Sequence, residues 1–166
     1  MLGIPNAMGQ QYYCELCDAK GKRLGDKTTT LEAVGVLLPF ILVPEKLRNK
    51  HVVIQVDNMG VVWGWEKQYL TGDATASVIL RCLLLLSTML EAVVHVIHVP
   101  CCSTWEARMA DRLSRADTMK ESDKRLLEGF EVSMLPSVFT DWLANPREDW
   151  EMPVRLCNSV ENILNS

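Results

Sequence analysis

The sequence predicts an α/β domain in which apolar strands alternate with helices around a partly parallel sheet. Two segments, 51–56 (HVVIQV) and 94–99 (VHVIHV), are short runs of mostly apolar and β-branched residues, as in buried strands. A long apolar segment with helical character, 74–93, lies between them. This strand–helix–strand order favours parallel pairing, and a chain of 166 residues fits one globular domain.

The N-terminal part of the chain predicts a strand and then a helix. Residues 10–18 (QQYYCELCD) are rich in aromatic residues, which favours a strand. Thr28–Thr30 can cap a helix with the sequence LEAVGVLLPFIL. Because a proline inside a helix costs about 3 kcal/mol, Pro39 predicts a kink or an end near Leu38.

The rest of the chain predicts three further helices. Residues 60–69 form a short helix, 74–93 a long one, and 104–114 an amphipathic one after the last strand. The domain is predicted to span 1–115, whereas 116–166 is either a helical tail packed on it or a linker. Core packing is predicted for the tryptophans, which are Trp63, Trp65, Trp105, Trp142 and Trp150.

Composition and charge exclude several classes of protein. Hydrophobic residues make up 48% and charged residues 23% of the chain, which argues against disorder. The formal charge of -4 argues against an isolated, tight nucleic-acid binder. No secretory signal precedes residue 10, so an intracellular location, cytoplasm or nucleus, is expected, with cysteines as thiols.

Two other interpretations of apolar and cysteine-rich segments are disfavoured. Residues 78–99 are apolar enough to suggest a membrane span, but charged and histidine residues interrupt them, which favours a buried helix and strand and no membrane. Cys14 and Cys17 form a CxxC that suggests zinc, with Cys101, Cys102 or His98 as further ligands. Positions three apart on a strand face opposite ways, which favours free thiols.

Three acidic residues lie where reactive groups gather in α/β proteins. Asp57 follows the strand 51–56, Glu32 lies near the start of the first helix, and Asp111 lies in the helix after the last strand. Each also has a structural explanation: Glu32 suits the helix dipole, Asp57 a helix cap, and Asp111 an ion pair with a nearby arginine. A functional interpretation therefore depends on all three together.

The segments around these acids resemble the ribonuclease H domain of retroelement reverse transcriptases, of the LTR or tyrosine-recombinase type. Asp57-Asn58 matches an Asp-Asn pair at a strand end, and 98–100 matches a His-x-Pro segment. Residues 110–115 (ADRLSR) match the family's Ala-Asp-x-Leu-Ser-Arg helix. Upstream, TTTLEAVGVLL resembles the helix that carries the second catalytic acid, Glu32 here.

The resemblance implies a ribonuclease H-like three-layer fold with a mixed central sheet flanked by helices. It implies two Mg²⁺ or Mn²⁺ ions held by Asp57, Glu32 and Asp111. Hard cations take carboxylate oxygens, and two such ions can activate water and stabilise a leaving oxyanion. The expected activity is therefore hydrolysis of the RNA strand of an RNA–DNA hybrid.

The resemblance also assigns roles around these acids. His98 would assist product release or pack beneath the loop. Asn58, Arg112 and Arg115 would contact the substrate, and the 2′-hydroxyl would distinguish RNA from DNA. The expected partners are an RNA–DNA hybrid and the polymerase domain of a reverse transcriptase.

The first catalytic acid of the family has no evident counterpart. The family places it on an opening central strand before a glycine-containing loop, which 3–9 (GIPNAMG) resembles, so that strand is expected to precede Met1. Another chain, a preceding domain, residues 1–9 themselves or self-association would then complete the sheet. A second alignment makes 12–18 (YYCELCD) the first strand, with Asp18 as its acid.

Three functions therefore remain open from the sequence. The first is a metal-dependent endonuclease, the second is a ribonuclease H-like module that has lost activity and holds a partner, and the third is another nuclease or integrase of the same fold. Fold resemblance alone does not choose among them.

Overall fold

A pair of parallel strands packs against helices in a computed structural model. The structure describes residues 2–5, 11–14, 28–101, 103–105, 108, 131–132, 134–147 and 149–166. The described elements, in chain order, are β1 (Leu2–Pro5), β2 (Gln11–Cys14), α1 (Thr28–Leu42), α2 (Pro44–Leu47), β3 (His51–Val56), α3 (Met59–Lys67), α4 (Ala74–Met89), β4 (Val93–His98), β5 (Glu131–Val132), α5 (Ser137–Ala144) and α6 (Met152–Leu164). The mixed α/β class predicted from the sequence is confirmed.

The described strands form two sheets. β3 and β4 pair in parallel over six residues each, from His51 opposite Val93 to Val56 opposite His98. β2 pairs with β1 in antiparallel and with β5 in parallel orientation. The parallel pairing of the two apolar strands therefore agrees with the strand–helix–strand order of the sequence.

The N-terminal segment differs from its predicted loop. Residues 3–5 resembled the loop after a first strand, but Leu2–Pro5 is itself a strand. Its backbone pairs with Gln11–Cys14, and this pairing satisfies hydrogen-bonding groups that a loop would leave to water. The predicted strand 10–18 is described as a strand over 11–14.

The β3–β4 sheet buries one face and exposes the other. One face of β3 packs toward the helices and carries Val52, Ile54 and Val56. Val53 lies on the other face and is 58% exposed. On β4, Val96 is buried and Ile97 is 42% exposed. The predicted burial of these strands therefore holds for one face only, because the helices described against this sheet cover only one side.

The helix α4 forms the centre of the core. Nine of its residues are buried, among them Leu80, Leu83 and Leu86, which are each 0% exposed. α1 packs along one side of α4, and α6 packs along another. The helix ends at Met89, earlier than the predicted 93, because Glu91 adopts a left-handed backbone (φ 52°) before β4 begins.

The predicted early end of the first helix near Leu38, at Pro39, is wrong. α1 continues to Leu42, and the N–H of Val43 donates to the carbonyl of Pro39 at 3.0 Å. Leu37, Leu38, Phe40 and Ile41 surround the proline and are buried. Burial of side chains of this size stabilises by about 1.5 to 3 kcal/mol each, which offsets the helical cost of proline.

The C-terminal helices belong to the same packed core. Met152, Leu156 and Val160 of α6 are fully buried, and α6 contacts α4, α2 and α5. Arg81 of α4 lies over the ring of Trp150, 3.7 Å from its centre, which joins the segment before α6 to α4. The described part of 116–166 is thus packed on the domain through α4.

A helix that crosses a lipid bilayer must be both long and apolar. Among the described residues, no helix combines the length and the apolar character that crossing a membrane requires. The longest, α4, has 16 residues.

A buried polar contact links the first turns of α1 and α4. Asp73 caps α4 by accepting from the N–H of Ala76 at 2.9 Å, and the hydroxyl of Thr30 donates to the same carboxylate at 3.0 Å. Both side chains are buried, with Thr30 4% and Asp73 7% exposed. This contact sets the position of the start of α1 against α4.

Replacing the capping acid tests that contact. We expect Asp73→Ala to lower the free energy of unfolding by about 2 kcal/mol, because a cap is lost and the Thr30 hydroxyl is left buried without its acceptor. Urea unfolding followed by circular dichroism measures the change. Asp141→Ala, on the exposed face of α5, is the control and should stay close to the parent protein. Equal stability of the two variants would contradict this role of Asp73.

Candidate functional site

The candidate site lies at the carboxyl ends of the two parallel strands. Asp57 is the first residue after β3, and its side chain is exposed. His98 is the last residue of β4 and lies opposite Val56, one residue before Asp57. Parallel pairing therefore brings Asp57 and His98 to the same edge of the sheet, as the sequence order predicted.

Glu32 reaches this edge from the helix α1. It is the fifth residue of that helix, beyond the first turn, and its side chain is half-buried. Burial raises the pKa of the Glu32 carboxyl, and the negative charge of Asp57 raises it further. The helix α1 also packs against β3, the strand that Asp57 follows.

This pair is costly for the folded protein when both groups are ionised. The folded pKa of Glu32 lies above its ordinary value of 4.5, so the folded state holds that proton more tightly than the unfolded state does. Stability from this group is present below pH 4.5 and is lost as the pH rises through the folded pKa. A retained proton, a basic side chain or a bound cation can each offset such a pair of like charges.

Asn58 has a structural role beside the acids. Its side-chain oxygen accepts from the N–H of Gly60 at 2.9 Å and from that of Val61 at 3.4 Å, which caps α3. A Cβ at Gly60 would lie 3.0 Å from this oxygen, so glycine suits the close approach. The cap holds the turn that follows Asp57, and the amide nitrogen of Asn58 remains a donor for a ligand.

The remaining predicted site residues cannot be placed against this edge. Asp111, Arg112 and Arg115 lie outside the described residues, and so does the alternative acid Asp18. The helix predicted from Thr104 begins there, since the N–H of Arg108 donates to the carbonyl of Thr104 at 3.1 Å. Within the described part of the chain, no three His, Cys, Asp or Glu side chains are grouped as a metal site.

The cysteines of the described core are thiols, as predicted. Cys82 and Cys157 are free, and burial raises the pKa of Cys157 to about 11, which makes it a poor nucleophile and metal ligand near neutral pH. Of the residues considered for zinc, Cys101 is an exposed thiol outside any disulfide. Cys17 and Cys102 lie outside the described residues.

Several tryptophans are exposed, against the prediction of core packing. Trp63 is 56% and Trp105 is 51% exposed, whereas Trp142 is 6% exposed and packs in the core. Trp150 is 60% exposed and covers Arg81. Trp63 lies in the segment that follows β3, and Trp105 lies in the segment that follows β4. Each of these two segments therefore carries one exposed aromatic side chain.

The contact between Thr30 and Asp73 was missed from the sequence. Its signal was the Thr-Gly-Asp sequence before an apolar helix, which is typical of a helix cap. The contact matters here because Thr30 lies two residues before Glu32 and fixes the start of the helix that carries it.

Comparison of the chain with family models, curated proteins and solved structures found no match.

Titration of Glu32 tests the arrangement of the two acids. In protein free of divalent ions, we expect Asp57→Asn to lower the pKa of Glu32. The substitution removes the negative charge of Asp57, which is one of the two causes that raise this pKa. The value should stay above 4.5, since burial is the larger cause. Carbon-13 NMR of the side-chain carboxyl measures it. Glu66→Gln, an exposed acid on α3, is the control. An unchanged pKa in Asp57→Asn would show that the two carboxylates are apart.

Proposed function

We propose that this chain is a ribonuclease H-like nuclease domain that hydrolyses the RNA strand of RNA–DNA hybrids, as part of a retroelement reverse transcriptase. The observation that carries the proposal is the parallel pairing that places Asp57 and His98 at one edge of the sheet, beside which the charge of Asp57 contributes to raising the pKa of Glu32. Glu32 and Asp57 are far apart in sequence and occupy the positions that the resemblance assigned to two catalytic acids. The packing of α1 against β3 is compatible with that assignment.

The donor set fits a hard divalent cation. Glu32 and Asp57 offer carboxylate oxygens, which are the ligands that Mg²⁺ and Mn²⁺ prefer. Two such ions, when bound, supply an activated water and stabilise the leaving oxyanion of a phosphodiester. Asp111 is the third acid that the resemblance assigns to the ions.

The chain's own residues would bind and orient the substrate. His98 lies at the same sheet edge and can hold or donate a proton at the product. Trp63 and Trp105 expose ring faces on which bases can stack, and Arg112 and Arg115 are proposed to contact phosphates. These contacts would compensate for the net charge of -4, which gives the chain little general attraction for nucleic acid.

The finer fold is proposed with the function. Among the described strands, β3 pairs with β4 only, so its other edge has backbone groups for a further strand. A ribonuclease H-like sheet would place its first catalytic strand there, with an acid beside Asp57. The polymerase domain of a reverse transcriptase, or a second copy of the chain, is the proposed source of that strand.

Cleavage of a labelled RNA–DNA hybrid tests the proposal. We expect the protein to cut the RNA strand with Mg²⁺ or Mn²⁺, with the partner domain added if the chain alone is inactive. Asp57→Asn and Glu32→Gln should each reduce the rate at least about a hundredfold, the usual size of losing a charged group that stabilises a transition state. Gel electrophoresis of the products measures the rate.

Matched substitutions of other acids provide the control. Asp141→Asn on α5 and Glu45→Gln on α2 remove exposed charges away from the site and should leave the rate unchanged. Equal rates in Asp57→Asn and the parent protein would overturn the catalytic assignment. Absence of cleavage even with the partner domain present would favour an inactive, partner-binding module instead.

A further inference from the structure

Two histidines meet on the exposed face of the β3–β4 sheet. The imidazole rings of His51 and His95 have centres 6.1 Å apart and planes that differ by 12°. Both side chains are exposed. Neither residue belongs to the site at Asp57, since His51 opens β3 at the opposite end of that strand.

The strand register holds these rings together. His51 lies opposite Val93 and Val53 lies opposite His95, so the histidines occupy one diagonal of a four-residue square. Strand residues two apart face the same side of a sheet, which puts all four side chains on the open face. Because the six-residue pairing fixes the backbone, the two imidazoles need no change of main chain to act as a pair.

The spacing of the rings suits one metal ion. A Zn–N bond of about 2.0 to 2.1 Å puts a ring centre about 3.2 Å from the metal, so two rings that share an ion have centres at most about 6.4 Å apart. The observed separation of 6.1 Å lies within that limit. Binding would require both side chains to rotate from this stacked arrangement so that one nitrogen of each ring is directed at the same point.

We propose that His51 and His95 form a surface site for a borderline divalent transition metal ion of the Zn²⁺, Ni²⁺ or Cu²⁺ class. Imidazole nitrogens favour these ions, whereas the carboxylates of Glu32 and Asp57 favour Mg²⁺ and Mn²⁺. Solvent molecules complete the coordination, because both rings lie at the surface. The site is independent of the proposed nuclease function and joins the two parallel strands on their open face.

NMR of the histidine side chains during a titration with Ni²⁺ tests this site in the 166-residue chain. The protein has three histidines, so each ring can be followed separately while paramagnetic Ni²⁺ broadens its signals. We expect His51 and His95 to broaden together in the parent protein. In His51→Ala, the Ni²⁺ concentration that half-broadens His95 should rise about a hundredfold, because the second ligand no longer binds within the same complex. His95→Ala should have the same effect on His51.

His98→Ala is the matched control, since His98 lies on β4 but outside the diagonal pair. It should leave the response of His95 to Ni²⁺ unchanged. Both tested histidines are exposed, so their replacement leaves the core intact, and His51→Gln repeats the test with a side chain that retains bulk. The proposal would be overturned if His95 responds at the same Ni²⁺ concentration in His51→Ala as in the parent protein.

Discussion

Burial of α4 is the constraint on which the rest of the described structure depends. This helix is apolar around most of its circumference, and burying one leucine of its kind stabilises the fold by about 1.5 to 3 kcal/mol. It must therefore be covered on more than one side, which α1 and α6 do. Because α1 is held against α4 and tied to it by Thr30 and Asp73, the position of Glu32 follows from this packing.

The same packing holds Glu32 where ionisation of its carboxyl group is unfavourable. Glu32 is half-buried beside Asp57, and its pKa is raised by burial and by that neighbouring charge. Nothing in the packing of α1 requires a carboxylate there, since a neutral side chain of similar size would avoid the penalty. Retaining two carboxylates at the end of a parallel strand is consistent with a cation-binding role, and this is the physical basis of the proposed nuclease activity.

Apolar patterning predicted the elements better than it predicted their surroundings. The strands β3 and β4 and the helix α4 were recognised because their apolar runs are long enough to exclude a loop. The exposure of Val53 and Trp63 was not recognised, because exposure depends on which elements cover a face, and periodicity contains no such information. Pro39 was judged by its local cost alone, although tertiary burial outweighs it. The expectation that Glu32 and Asp57 share a site came from the family resemblance alone, since no spacing rule relates a helix start to a distant strand end.

Binding of Mn²⁺ in the absence of nucleic acid tests the central claim, that Glu32 and Asp57 form one cation site, most directly. Amide NMR signals near a bound Mn²⁺ broaden, so we expect loss of the signals of Glu32, Asp57 and their neighbours at Mn²⁺ concentrations that leave α5 and α6 unaffected. In the Glu32→Gln/Asp57→Asn double variant this loss should disappear. Broadening that persists in the double variant, or that centres elsewhere in the described chain, would contradict the account.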